Sequence, residues 1–155
     1  MDRLEKQIEF IVEIDKLKAI IRRSYLVGCD RLENSAEHCW HVSVLAMILA
    51  EHSDLEIDLL KVVKMLLVHD IVEIDAGDTF CYDTAAVDGQ HAREQAAAQR
   101  LFGLLPADIG RGLAALWEEF EARRTPESLL ANALDRLQPI LNNYASGGKS
   151  WRANG

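Results

Sequence analysis

The sequence predicts an all-α domain, a bundle of about six helices, and three observations support this. Apolar residues recur at three- and four-residue steps along most of the chain, which is the spacing of one helix face. No segment shows the alternation typical of a strand, and no repeat or linker divides the chain. With 155 residues, 49% hydrophobic and 27% charged, the chain is long enough for one domain with its own core. We therefore treat residues 1–155 as a single domain.

A first amphipathic helix is predicted over residues 3–22. Its apolar face consists of residues that recur every three or four positions, namely Leu4, Ile8, Ile11, Ile14, Leu17 and Ile21. A loop containing Gly28 follows. Asn34 and Glu37 then form the N-x-x-E pattern of a capping box, which predicts a second helix running to about residue 53.

A third helix is predicted over about residues 58–73. It is apolar on most of its surface, which is typical of a central, buried helix. The polar segment 75–89 is predicted to be a loop. Two further helices are predicted over residues 89–102, where Gly103 stops the helix, and over residues 106–123.

The sixth helix begins with Thr125-Pro126-Glu127, which fits an N-cap and the first two helical positions. Its apolar face contains four leucines, Leu130, Leu134, Leu137 and Leu141. Pro139 is predicted to kink this helix. The last ten residues, SGGKSWRANG, are predicted to form a loop.

Composition limits the partners and the compartment. The net charge of −8 opposes binding to nucleic acid polymers or anionic membranes, because little counterion release would drive it. No apolar run is long enough to predict a transmembrane helix, and the charged N-terminus does not resemble a signal peptide. The chain has three cysteines, Cys29, Cys39 and Cys81. Their number is odd, and their spacing matches no zinc-binding motif. We therefore expect a cytoplasmic protein with free thiols.

Residues 65–79, MLLVHDIVEIDAGDT, change from apolar to strongly polar at His69 and Asp70. Burying such groups without a partner would cost on the order of several kcal/mol. A metal ion at the helix end would compensate both, and imidazole nitrogen with carboxylate oxygen suits Mn, Fe, Co, Ni or Zn better than Ca²⁺. The alternative is a core histidine hydrogen-bonded to Asp70 or to a backbone carbonyl.

Two ligands are too few for a metal, so partners must come from elsewhere in the chain. His38, in the first turn of the second helix, and Asp135, inside the leucine-rich sixth helix, fit their apolar surroundings least. His41 lies one helical turn after His38 and could face the same ion. Two histidines and two aspartates leave coordination positions open, as metal catalysis requires.

Glu73 lies three residues after Asp70 and four after His69, so in a continuous helix it shares their face. A carboxylate there can accept a proton from water or protonate a leaving group. The alternative is a surface glutamate near a helix C-terminus, where the helix dipole disfavours negative charge.

Four segments, in this order, resemble the HD-domain metal-dependent phosphohydrolases, and most closely the branch related to 5′-deoxynucleotidases. They are ENSAEHCWHV, KVVKMLLVHDIVEIDAGDTF, RLFGLLP and LWEEFEARRTPESLLANALDRLQPILNNY. The resemblance covers about residues 17–152 and follows the pattern H…HD…D over three helices. It implies an HD-domain-like bundle with a divalent metal ion between the helices.

The resemblance also implies roles for single residues. It gives four metal ligands, namely His38, His69, Asp70 and Asp135. The family has no fixed histidine at the position of His41. Glu73 matches the acid/base glutamate, and Asp78 matches an aspartate used near the nucleotide sugar and water. A phosphate-contacting arginine late in the first helix aligns with Arg22, with the neighbouring Arg23 as the alternative.

Two departures from the family pattern concern selectivity and closure of the pocket. Relatives often have a tryptophan near the start of the loop after the first helix, where this chain has Arg23 or Tyr25. The preference among nucleosides therefore stays open. Many relatives also extend some tens of residues beyond the position of Trp151, so we expect the last element to be truncated or absent.

Together these observations predict a metal-dependent phosphohydrolase, and the resemblance implies a 5′-(deoxy)nucleotidase that releases phosphate from small nucleoside 5′-monophosphates. The expected cofactor is one divalent ion (Mn, Co, Fe, Ni, Zn or Mg), and relatives suggest a homodimer. One alternative is another HD chemistry, that of a phosphodiesterase or a nucleotide pyrophosphohydrolase. The short chain, with few basic residues near the ligands, argues against a large polyanionic substrate. The other alternative is a non-catalytic helical module in which a metal joins the helices.

Overall fold

A computed structural model describes residues 1–77 and 89–154, except the side chain of Asn154. Its helices are α1 (Arg3–Ile14), α2 (Ser35–Leu49), α3 (Leu59–Val68), α4 (Glu73–Ala76), α5 (Gln90–Gly103), α6 (Ala107–Ala122), α7 (Pro126–Ala145) and α8 (Lys149–Asn154). Three short 3₁₀ turns occur at Asp15–Ala19, Ala50–His52 and His69–Val72. In this part of the chain six helices have ten or more residues, so the predicted all-α bundle is confirmed.

The prediction of one helix over residues 3–22 is wrong beyond Ile14, where α1 ends. After a 3₁₀ turn the chain forms strand β1 (Ile21–Tyr25), which pairs antiparallel with strand β2 (Leu32–Asn34). Ile21 faces Asn34, and the backbone amide of Ser35 extends the pairing to the Ile20 carbonyl at 2.9 Å. The β-branched Ile20 and Ile21 favour extended backbone, and a partner strand more than ten residues away decides the conformation.

Both predicted helix starts with a capping pattern are confirmed. Asn34 accepts a hydrogen bond from the Glu37 amide, and the Glu37 carboxylate accepts one from the Asn34 amide, which completes a capping box at α2. Thr125 caps α7 in the same way with Ser128 as its partner. The kink at Pro139 stays a prediction, since α7 continues through this residue to Ala145. These caps fix where α2 and α7 begin.

Helix α3 lies at the centre of the bundle, as predicted. It packs against α2, α6 and α7, and neither Met65 nor Leu66 exposes any surface. The helix is shorter than predicted, because it ends at Val68 and the chain tightens into the 3₁₀ turn His69–Val72. That tighter turn carries the histidine–aspartate pair.

The last ten residues are not a loop throughout, which corrects a further prediction. Gly147 and Gly148 adopt positive φ angles after α7, and α8 follows directly. The Ser150 hydroxyl donates to the Arg23 carbonyl at 2.5 Å, which fastens α8 to β1. In the described parts of the chain no helix is both long and apolar enough to cross a bilayer.

Candidate metal centre

The four predicted metal ligands come from three separate elements and meet in one place. His38 is the fourth residue of α2, and its ring is completely buried. His69 and Asp70 open the 3₁₀ turn after α3, and both are buried. Asp135 projects from the middle of α7. The side chains thus converge where α2, α3 and α7 pack together.

Short distances between side-chain atoms define this cluster. Asp135 Oδ1 lies 2.8 Å from His38 Nε2 and 3.5 Å from His69 Nε2. Asp70 Oδ1 lies 3.0 Å from the same His69 nitrogen. Ligand atoms of His38, His69 and Asp135 all lie within 4.8 Å of one another, which is close enough for one ion to reach all three. His69 Nε2 is therefore the atom that both carboxylates approach.

The donor atoms in this cluster fit a divalent cation. His69 Nδ1–H donates to the Leu66 carbonyl at 2.9 Å, so Nε2 carries the ring's free lone pair. That nitrogen is buried and has no hydrogen-bond partner among the described residues. A lone pair facing two carboxylate oxygens needs a proton or a metal ion between them, and nitrogen and oxygen ligands suit transition metals. The observation favours a metal site over the alternative of a satisfied core histidine.

The pKa values of these groups reflect their mutual attraction. Burial alone would raise the pKa of Asp135, but the neighbouring imidazole rings of His38 and His69 bring it well below its usual range. Burial alone would lower the pKa of His38 and His69. The pKa of His38 is instead raised, because the ring contacts Asp135 and Glu33. The pKa of His69 is raised by the nearby Asp70. The cluster thus attracts positive charge, whether protons or a cation.

Cys39 lies beside the cluster, which the sequence analysis did not anticipate. Its sulfur is 3.9 Å from His69 Nδ1 and 3.8 Å from Asp70 Oδ2. Burial raises the pKa of this thiol, and the negative charge of Asp70 raises it further. Ligand atoms of Cys39, His69 and Asp70 also lie within 4.8 Å of one another, so the Cys39 sulfur is a further candidate ligand beside the four predicted ones.

Of the two candidate arginines, Arg22 lies at the centre. Its Nη1 donates to Asp70 Oδ2 at 2.9 Å, whereas Arg23 is exposed on the other side of β1. The alternation of side chains along a strand explains why only one of two neighbouring residues points inward. The prediction that this arginine lies late in the first helix is wrong, because it lies in β1.

Glu73 begins α4 directly after the turn that carries His69 and Asp70. Its Oε2 accepts a hydrogen bond of 2.7 Å from the hydroxyl of the buried Ser35 at the start of α2. The chain stays helical from the turn to Ala76, so Glu73 does lie near a helix C-terminus, and the hydrogen bond from Ser35 offsets that unfavourable position of its carboxylate. Asp78, the other predicted catalytic residue, lies outside the described residues.

Sequence reasoning missed two fully buried polar residues next to the cluster, Glu33 and Gln138. Gln138 lies three residues after Asp135 on the inner face of α7, so the criterion that identified Asp135 applies to it too. Glu33 gave no comparable signal, because β2 was not predicted. His41, interpreted as a neighbour, contacts Gln138 Nε2 through its Nδ1 at 3.0 Å.

Comparison with known proteins identifies relatives of this chain. Residues 14–155 match the family model described as HD domain. A human protein named 5′-deoxynucleotidase HDDC2 is 29% identical over 135 residues, which cover 86% of this chain and 65% of that protein. The corresponding Xenopus laevis protein is 30% identical over 86% of this chain and 66% of its own length. The chain thus spans less than two thirds of these curated relatives.

Solved structures give the same result. A crystal structure of a predicted metal-dependent phosphohydrolase from Magnetospirillum magnetotacticum is 51% identical, with a TM-score of 0.93 over 99% of this chain and 76% of that one. A conserved hypothetical protein from Pyrococcus furiosus is 26% identical, with a TM-score of 0.67 over 90% of this chain and 84% of its own. The chain therefore belongs to the HD domain family.

Proposed function

We propose that this protein is a metal-dependent phosphomonoesterase that hydrolyses nucleoside 5′-monophosphates, a 5′-(deoxy)nucleotidase. The observation that carries the proposal is the buried His69 Nε2, which lacks a hydrogen-bond partner among the described residues and faces Asp70 and Asp135. Several relatives named 5′-deoxynucleotidase support the choice of substrate. The family also implies a divalent ion, and its ligands would be His38, His69, Asp70 and Asp135.

A divalent ion held by these residues would supply Lewis-acid chemistry, polarising a phosphoryl oxygen and lowering the pKa of water. Arg22, beside Asp70, offers a planar guanidinium whose donors match phosphate oxygens in a protein of net charge −8. Glu73, held by Ser35, takes the proton from water as the new P–O bond forms. The same carboxyl group returns that proton to the 5′ oxygen as the P–O5′ bond breaks. Asp78 stays a proposed contact for the sugar and water.

Phosphate release from a panel of ribo- and deoxyribonucleoside 5′-monophosphates, each with several divalent metals, tests this proposal. We expect release by the parent protein. Asp70→Asn should lose activity because it loses metal, whereas Glu73→Ala should keep metal and lose about 10²- to 10⁴-fold in rate. Hydrolysis of phosphodiesters or pyrophosphates alone would favour the other HD chemistries. Metal binding without any hydrolysis would favour a structural metal.

We also propose that two copies associate through the outer face of α2, formed by Trp40, Val44, Met47 and Ile48. Trp40, Met47 and Ile48 are each more than 60% exposed. Residues 39–50 contain no Asp, Glu, Lys or Arg, so α2 is apolar on its inner and outer sides alike. In a protein of net charge −8, an uncharged face is where a second identical copy meets least repulsion.

Light scattering coupled to size-exclusion chromatography tests this association. We expect a dimer for the parent and a monomer for Met47→Glu, because a charge in an apolar interface is costly. The control is Leu60→Glu on α3, which adds the same charge at a side chain of similar exposure, 62%. A monomeric parent, or a dimer that survives Met47→Glu, would contradict the proposal.

A reducing compartment such as the cytoplasm is the setting that we propose. Cys29 is an exposed free thiol, and exposed thiols persist under reducing conditions. Fractionation of cells that express the protein would test this location.

A further inference from the structure

His38 is the first of a chain of three polar side chains that are completely or almost completely buried. His38 and Gln138 expose none of their surface, and Glu33 exposes 1%. Glu33 comes from β2, His38 from α2 and Gln138 from α7, so the chain joins three elements. Burying a glutamate in a bundle core is costly, and packing alone gives no reason for its presence.

The chemistry of the carboxylate fixes the orientation of every group in this chain. A carboxylate only accepts hydrogen bonds, so the nitrogen of the Gln138 amide must face Glu33, and Nε2 lies 2.7 Å from Glu33 Oε1. The second proton of that nitrogen points to His41 Nδ1 at 3.0 Å. The amide oxygen of Gln138 must then face His38, where it lies 3.0 Å from Nδ1.

An amide oxygen only accepts, so His38 Nδ1 must carry a proton. The other nitrogen, Nε2, then presents its lone pair to the cluster, 2.8 Å from Asp135 Oδ1. Two acceptors at this distance are held together only by a proton or a metal ion between them. The orientation of His38 as a ligand is therefore determined by Glu33, which acts through Gln138 and whose Oε2 also lies 3.7 Å from His38 Nδ1.

Arg22 connects the same chain to a second ligand. Its Nε lies 3.8 Å from Glu33 Oε2, while its Nη1 donates to Asp70 Oδ2 at 2.9 Å. The guanidinium thus offsets the buried charge of Glu33 and holds Asp70 at the same time. Glu33 consequently has a partner on each side, one leading to His38 and the other to Asp70.

We propose that Glu33 and Gln138 are positioning residues that hold His38 with Nδ1 protonated and Nε2 aimed at the metal ion. The proposal rests on the metal centre of the proposed function and adds residues for which no role was predicted. Outer-shell partners of metal-binding histidines raise metal affinity by about 10- to 100-fold, because they fix the tautomer and the ring orientation. We expect an effect of this size here.

Metal affinity and fold stability, measured separately on the full chain, test the proposal. The probe is Mn²⁺ or Co²⁺ titrated into metal-free protein by calorimetry, and thermal unfolding of each variant is followed in parallel. Glu33→Gln keeps the volume of the side chain but lets Gln138 turn over, so we expect metal affinity to fall by about 10- to 100-fold. Gln138→Leu should have an effect at least as large.

Asn132→Leu is the matched control. Asn132 is also a buried amide on α7, but its nitrogen donates to the carbonyls of Phe120 and Ser128, away from the metal ligands. This variant should lose stability and keep the parent's metal affinity. If Glu33→Gln and Gln138→Leu also keep that affinity within twofold, the proposal is wrong.

A spectroscopic readout addresses the tautomer directly. In the zinc-loaded parent, long-range ¹H–¹⁵N correlation spectra should show a protonated Nδ1 and an unprotonated Nε2 for His38. The opposite assignment would overturn the proposal even if the affinities changed as expected. Phosphate release is assayed separately, so a protein that binds metal as predicted but hydrolyses no nucleotide would reject only the proposed function.

Discussion

His38 Nε2 lies 2.8 Å from Asp135 Oδ1, although 97 residues separate the two in the sequence. The contact joins the start of α2 to the middle of α7, and His69 approaches the same oxygen from the end of α3. A group that binds at this point contacts three elements that are distant in sequence. Ligand binding and the stability of the bundle should therefore be coupled.

Metal ions should stabilise the protein through this contact. At 100 times the dissociation constant, Mn²⁺ or Co²⁺ should add about 2.7 kcal/mol to the free energy of unfolding, as measured by urea denaturation. Asp135→Asn should remove most of this gain. The control Asp108→Asn, an exposed aspartate paired with Arg3, should keep it. An equal gain in Asp135→Asn would contradict the ligand assignment.

Substitution of the two neighbouring arginines should have very different effects on phosphatase activity. Arg22→Gln removes hydrogen bonds to charged groups worth about 1.5 to 3 kcal/mol, so kcat/KM should fall by about 10- to 100-fold. Arg23→Gln, on the exposed side of β1, should stay within about twofold of the parent. Steady-state kinetics with a nucleoside 5′-monophosphate measures both. Similar losses in the two variants would argue against Arg22 as the phosphate contact.

The hydrogen bond from Ser35 to Glu73 should matter for rate but not for metal affinity. Ser35→Ala removes a donor 2.7 Å from the carboxylate, which is worth about 1.5 kcal/mol and corresponds to about a tenfold loss in kcat. Ser43→Ala is the control, because Ser43 is also buried on α2 but donates to the Cys39 carbonyl. If Ser35→Ala weakened metal binding instead, Glu73 would have to be placed among the ligands.

Two glycines on α6 should respond oppositely to alanine. A Cβ at Gly110 would lie 2.3 Å from the Phe102 carbonyl oxygen on α5, so Gly110→Ala should destabilise the fold by about 1 to 3 kcal/mol. A Cβ at Gly112 meets nothing within 4 Å, so Gly112→Ala should stabilise α6 by about 0.5 to 1 kcal/mol. Thermal or urea unfolding of both variants measures the difference. A stabilising Gly110→Ala would mean that α5 and α6 pack less closely.

The helices and the clustering of the four candidate ligands were predictable because their signals are local. The capping patterns at Asn34 and Thr125 place the starts of α2 and α7, and apolar residues on most of its surface mark α3 as central. His38, His69, Asp70 and Asp135 were prominent as polar groups in apolar surroundings. The choice of one set of ligands came from the order of the segments, not from the spacing of any single segment.

The features that sequence reasoning missed depend on contacts between distant segments. The conformation of residues 21–25 is decided by pairing with residues 32–34, and the helical spacing of Ile14, Leu17 and Ile21 gives no sign of it. Glu33 could not be recognised as buried without that pairing. The placement of Arg22 rather than Arg23 at the centre follows from the strand, so it too required the structure.

The hairpin of β1 and β2 has a practical consequence for labelling and insertion. Residues 27–31 form an exposed turn, and exposed turns usually accommodate tags or extra residues. Here the turn sets the register of two strands, one with Arg22 and the other with Glu33. Shifting that register by one residue would reverse the side on which these side chains lie. An inserted amino acid that shifted this register would therefore move Arg22 and Glu33 away from the metal centre, so epitope tags belong elsewhere.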